Sequence, residues 1–171
     1  VPNIVPLGTL HKVLQRLLKE KVSIRDLLTI METLADYIAI TKNVDILTGY
    51  VRQALSRAIT RQYQDADGNV TVVIISPEIE ENIGAAIQHT EYESFVAGDP
   101  SVIQKMVVNL QKYIKAFTAK GLQPVLLCSP TIRIHIRKML DKFFSNITVL
   151  AHNEIAPDAN IKSLGMLGLN D

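Results

Sequence analysis

The sequence predicts an α+β protein: an N-terminal subdomain of three helices followed by a small α/β subdomain with a mostly parallel sheet. Two observations carry that prediction. Through residue 63 the apolar side chains recur at helical spacing, as in Ile24, Leu27, Leu28, Met31, Leu34, Ala35 and Ile38, then Leu47, Val51, Ala54, Leu55, Ala58 and Ile59. After Asp67-Gly68-Asn69 the pattern changes to short aliphatic runs separated by helix-length segments, which is the grammar of strand, helix, strand.

Residues 1–8 hold two prolines and a glycine, which disfavour helix and suggest an extended lead-in that packs Ile4 and Val5. Thr9 can cap a first helix to about Lys21, with Leu10, Val13, Leu14, Leu17 and Leu18 on one face. Ser23 is a natural cap for a second over 24–40, with Asp26 near the positive end of its dipole. Asn43 caps a third, with Asp45 in its first turn, which continues over 44–63 until QDADGN breaks it. The boundary falls there, giving a helical subdomain over 1–66 and an α/β subdomain over 67–171.

The aliphatic runs 70–75, 124–128 and 147–151 read as buried parallel strands, because strands covered on both faces need no polar alternation. Ser76-Pro77, Asp99-Pro100 and Ser129-Pro130 each place a capping side chain before a proline at the first helical position. The first opens a helix to about Gln88, and the second a longer one closed by Gly121. A last strand over 160–167 can pair at an edge, though Gly165 and Gly168 weaken it.

Composition narrows the function. With 47% hydrophobic and 20% charged residues the chain is that of a folded soluble protein. Its apolar runs are too short to cross a bilayer. One cysteine, Cys128, forms no internal disulfide and leans toward a reducing compartment. The first residue is Val and no signal-peptide pattern follows, so the chain reads as a piece of something longer. The net charge of +1 divides into +4 over residues 1–64 and −3 over 65–171, a polarity that lets the basic part of one copy face the acidic part of another.

The motifs of catalysis are weak. The strand ends carry SPEIEEN, CSPT and HNEI, without the glycine-rich loop that brings backbone N–H groups to a phosphate. Cys128 and His152 end successive strands and would form a thiol–imidazole pair, but a cysteine there is ordinarily core and Ser129 before proline ordinarily a cap. His11, His89, His135 and His152 lack metal-ligand spacing, so no metal or other cofactor is expected. Glu78, Glu80, Glu81, Glu91 and Glu93 read as a solvated acidic face around a helix. Arg52, Arg57 and Arg61 raise the question of DNA, yet Asp26, Glu32, Asp36 and Asp45 interrupt the field, so no nucleic acid is expected. Arg25, Thr29, Glu32 and Asp36 fall at i, i+4, i+7 and i+11, a stripe of mixed sign opposite the apolar one, suited either to surface ion pairs or to a docking face.

The strings VPNIVPLGTLHKVLQRLLKEKVSIRDLLTIMETLADY and ILTGYVRQALSRAI, with the closing VLAHNEI and IKSLG, resemble the C-terminal cytoplasmic region of the flagellar export-gate family, nearly end to end. Injectisome export gates share SIRDL, LTxYVR and NEI-like signatures and are the alternative. Gly49 departs from the glutamate expected between Thr48 and Tyr50. The resemblance implies the last two of four cytoplasmic subdomains of a non-enzymatic inner-membrane protein, anchored by a membrane region absent here. It further implies assembly as a nonameric ring beneath the export channel, receiving export substrates, chaperone complexes and other export apparatus proteins. On that reading Arg25, Glu32, Asp36 and Arg52 are the candidate subunit-interface residues.

Overall fold

The computed structural model describes residues 4–97 and 99–170. Its elements run α1 (Leu7–Lys19), α2 (Leu27–Tyr37), α3 (Val44–Ala54), α4 (Ser56–Tyr63), β1 (Asn69–Ile75), α5 (Pro77–Ala86), β2 (Ile87–His89), β3 (Ser94–Val96), α6 (Pro100–Ala119), β4 (Val125–Cys128), α7 (Arg133–Leu140), β5 (Thr148–Ala151), a 3-10 turn (His152–Glu154) and β6 (Asn160–Leu167). The expected parallel sheet is present, in the order β5-β4-β1-β6, with every pairing parallel. β6 does pair at an edge, and its register slips opposite Val72/Val73, where Gly165 takes a φ of +151°.

Alternation along the strands divides the core. Val70, Val72, Val125, Leu127 and Leu150 point to one face and join Val13, Leu17, Ile30, Leu34, Leu47, Val51 and Ile59 of α1–α4. Val73, Ile75, Leu126, Cys128 and Val149 point to the other and join Ile79, Met106, Leu110, Phe117 and Ile136 of α5–α7. The molecule is therefore three layers, and the four N-terminal helices are the lid of one sheet face. Residues on the two sides of position 67 thus share one apolar cluster.

Several local signals act as expected. Asn43 accepts from the amides of Asp45 and Ile46, Ser76 from Ile79, and Asp99 from Ser101. Gly121, at φ +68°, ends α6, and the following Leu122 amide returns to Phe117 O.

Others differ. The helix expected over 44–63 is two, because Leu55 leaves helical geometry (φ −94°, ψ 15°) and turns α4 so that Ile59 and Thr60 are buried. α1 starts at Leu7 behind Pro6 and not behind Thr9. α2 starts at Leu27, with the Asp26 carboxylate accepting from Thr29 N and Oγ1 at 3.1 and 2.7 Å; Ser23 accepts instead from Arg25 N at 3.3 Å. After Pro130 the chain makes a turn before α7 opens at Arg133. α5 stops at Ala86, and an antiparallel hairpin, β2–β3, follows, so Glu91 and Glu93 belong to its turn and not to a helix. Within the lead-in Val5 is buried and Ile4 exposed; residues 1–3 lie outside the described residues.

Candidate functional site

Arg25, Glu32 and Asp36 are exposed, and among the described residues none makes an ion pair within the chain. Arg25 precedes α2, while Glu32 and Asp36 lie one turn apart on it, beside Leu28, whose side chain is 70% exposed. A patch of unpaired charge of both signs around an exposed leucine is chemically suited to another protein surface.

Arg52 does not join that patch. It is the largest fully buried side chain, at 2% exposure, and faces the layer beneath α3. Its Nε and Nη2 donate to Glu154 at 2.6 and 3.1 Å. Glu154 Oε1 also accepts from Ala151 N at 2.9 Å. Alongside, Arg133 donates through Nη1 and Nη2 to Glu20 at 2.7 and 3.1 Å and through Nη1 to Val149 O at 3.2 Å. Arg133 Nε lies 3.7 Å from Glu154, and Arg137 Nε 3.7 Å from Glu20. Two arginine–carboxylate forks thus interlock α1, α3, α7 and the 3-10 turn. Burial raises the Glu20 pKa, but Arg133, Arg52 and Arg137 outweigh it and hold the group below its usual value. Burial alone would lower the Arg133 pKa, but Glu20 and Glu154 reverse this and raise it. Thr60 extends the joint by donating to Glu154 O at 3.0 Å and accepting from Ala156 N at 2.8 Å.

A second polar joint pins the hairpin. Asp45 accepts from Ser94 N at 3.0 Å and pairs with Arg16 and Lys138. Asn43 Nδ2 donates to Ser94 Oγ at 2.9 Å, and His89 Nδ1 is 2.7 Å from the same hydroxyl. The cleft beside this joint, about 340 Å³, opens between α3, the hairpin and the start of α7, past Gly49, Tyr50, His135 and Asn153. A Cβ at Gly49 would meet nothing within 4 Å, so the absent glutamate leaves open space. Burial, then Lys138, His89 and Arg133, push the His135 pKa down to about 4, leaving the ring neutral.

At the carboxyl ends of the strands the thiol–imidazole arrangement is not assembled. Cys128 is buried with Sγ 3.9 Å from Leu150 O; burial and then Glu80 push its thiol far up, so no thiolate nucleophile is available. Ser129 is held by Glu80, through N at 2.7 Å and Oγ at 2.6 Å, and His152 is exposed. Among the described residues no group of three His, Cys, Asp or Glu is placed to hold a metal, and no helix is long and apolar enough to cross a membrane.

The model of the FHIPEP family matches residues 1–160. This chain belongs to the FHIPEP family. The FHIPEP chain is 36% identical over 168 residues to the flagellar biosynthesis protein FlhA of Bacillus subtilis (strain 168), covering 98% of itself and 25% of that protein. It is 31% identical over 169 residues to the low calcium response locus protein D of Yersinia pestis, covering 99% of itself and 24% of that protein. It spans about a quarter of the length of these relatives. Its fold matches the Chlamydia pneumoniae CdsV in complex with CdsO at a TM-score of 0.88 and 33% identity, over 97% of this chain and 49% of that one. It matches the nonameric EPEC SctV-C at 0.83 and 31%, over 96% and 49%. The family is that of type III export gates, and the relatives of this FHIPEP chain include both flagellar and injectisome members.

The buried forks were beyond sequence reasoning, which placed Arg52 on the outer face. A usable signal was present: Asp45, Thr48 and Arg52, all buried, recur at i, i+3 and i+7, so α3 carries a polar stripe alongside its apolar one.

Proposed function

We propose that this FHIPEP chain is a non-enzymatic docking and ring-forming module of the flagellar protein export gate. It works at the cytoplasmic face of the bacterial inner membrane and meets the membrane only through a region outside this chain. The observation that carries the reading is the unpaired patch of Arg25, Leu28, Glu32 and Asp36, on a fold shared with a nonameric assembly. In a ring each such patch faces a neighbouring copy, and opposite charges fix the register between copies. Arg52 supports this indirectly, by fixing α3, against which α2 packs. The remaining surface receives export substrates, chaperone complexes and other parts of the export apparatus; CdsV, the Chlamydia relative, is seen bound to CdsO.

The test is charge reversal at Arg25 and Glu32 in the full cytoplasmic region, followed by sedimentation velocity. Both side chains are exposed and unpaired, so the monomer should keep its thermal midpoint while higher oligomers are lost. Unchanged self-association overturns the interface. An injectisome gate is the second reading, favoured by the solved virulence-type neighbours. Exchange of this segment into each kind of gate, with motility and effector secretion as readouts, separates the two.

A further inference from the structure

The cleft beside the hairpin joint, about 340 Å³, is walled by buried polar side chains, and all but one of them are committed. Asp45 accepts from Ser94 N and pairs with Arg16 and Lys138, and Ser94 Oγ accepts from Asn43. Arg133 is forked onto Glu20, and Arg52 onto Glu154. His135, at 3% exposure, is the one buried polar side chain of the wall without a hydrogen bond among the described residues. Burial, then Lys138, His89 and Arg133, hold its ring neutral, so it keeps one N–H to donate. The same wall carries an open helix end. α7 begins at Arg133 without a capping side chain, and the hydroxyl of Ser129 is given instead to Glu80 Oε2 at 2.6 Å. The amides of Arg133, Ile134 and His135, in the first turn, find no acceptor among the described residues, and all three residues line the cleft.

We propose that this cleft, between α3, the hairpin and the start of α7, is a binding site for a carboxylate carried on a short apolar body, either a free organic acid or an acidic side chain of a bound protein. The unmet buried groups of its wall are donors, so they call for an acceptor, and the positive end of α7 favours a negatively charged one. Water could accept from the same groups, but the cleft holds about ten waters at roughly 30 Å³ each. Ile46, Ile134 and Ala151 make part of the wall apolar, so most of those waters would find few partners there. A carboxylate offers two oxygens to the amides and the imidazole at once, while its aliphatic body covers the apolar wall. The carboxylates already present, Asp45 and Glu154, are each balanced by their own cations and repel it little. Gly49, where an added Cβ would meet nothing within 4 Å, leaves the α3 side of the cleft wide. Because the cleft spans α3 and α7, its occupancy is linked to the packing of the N-terminal helices against the C-terminal layers.

The site is tested on this chain by titrating isovalerate and its uncharged isostere isovaleramide at neutral pH and constant ionic strength, followed through backbone amide shifts in nuclear magnetic resonance. Isovalerate should move the amides of Arg133, Ile134 and His135 saturably and bind about tenfold more tightly than isovaleramide, since hydrogen bonds to a charged acceptor are the stronger ones. His135→Phe keeps a ring in place and removes its N–H, so the affinity for isovalerate should fall about tenfold. The contrast between the two ligands on the unaltered chain stands even if that variant does not fold. Acetyl-Ala-Glu-Ala-amide then separates the two sources: saturation of the same amides assigns the site to a protein-borne carboxylate, and no response beside a positive isovalerate titration assigns it to a free acid. Equal affinity for isovalerate and isovaleramide, or no shift of the three amides with either, overturns the proposal. Ring assembly is read separately by sedimentation, so the failure of one reading leaves the other standing.

Discussion

Glu154→Ala is the sharpest test of the interlocked forks. The substitution removes the acceptor of three hydrogen bonds, two from Arg52 and one from Ala151 N, in a side chain that is 2% exposed. Arg52 is left as a buried cation without a hydrogen-bonded carboxylate, its nearest one, Glu20, lying 3.8 Å away and committed to Arg133. Breaking a buried pair in this way costs about 3–5 kcal/mol. The orphaned Ala151 amide adds on the order of 1–3 kcal/mol, not fully additive with the first. A loss of about 4 kcal/mol is a large share of the roughly 5–15 kcal/mol that holds a domain together. For a chain of this length it lowers the thermal midpoint by about 8–16 °C. Urea unfolding followed by circular dichroism should show a lower midpoint at unchanged slope. Glu154→Gln retains an acceptor for Ala151 and loses about half as much. Arg52→Met combined with Glu154→Ala should recover part of the loss, because no uncompensated charge then remains. A cost below about 1 kcal/mol for Glu154→Ala, or strict additivity in the double variant, refutes the reasoning.

Gly165→Ala should cost about 1–3 kcal/mol by the same urea assay: the backbone sits at φ +151°, and an added Cβ would lie 2.8 Å from Tyr113 Oη and 2.9 Å from Tyr113 Cε1. Stability should fall as pH drops from about 6.5 toward 4, because the unfolded His135 ring takes up a proton that the folded one, with its pKa pushed down to about 4, refuses. The contribution is complete above the unfolded value. It amounts to about 1–2 kcal/mol once screening in the open cleft is allowed for, and His135→Gln should flatten the profile between about pH 6.5 and 5. Below that window Glu20 adds a loss of the same sign, since its pKa is held below the unfolded value.

The sequence by itself determined the elements whose causes lie within a few residues. Asn43, Ser76 and Asp99 cap the helices that follow because the acceptor and the free N–H groups are two or three positions apart. The aliphatic runs at β1, β4 and β5 specified a sheet covered on both faces, since consecutive apolar residues such as Val72 to Ile75 and Val125 to Cys128 point to both sides of it. It also showed the exposure of Glu32 and Asp36, which follows directly from helical phase on α2, whereas Arg25 lies ahead of that helix and outside its phase. The hairpin at 87–96 was hidden, as its turn residues Thr90 to Glu93 include no glycine, asparagine or proline to mark it. The break at Leu55 carries no local signal either, and it is Thr60, reaching the Glu154 carbonyl and the Ala156 amide, that gives it a purpose. Only the tertiary structure decided the place of Arg52. Hydrophobic periodicity finds one buried face, but α3 has a layer beneath its polar side as well, and the carboxylate that makes burial tolerable lies 102 positions along the chain.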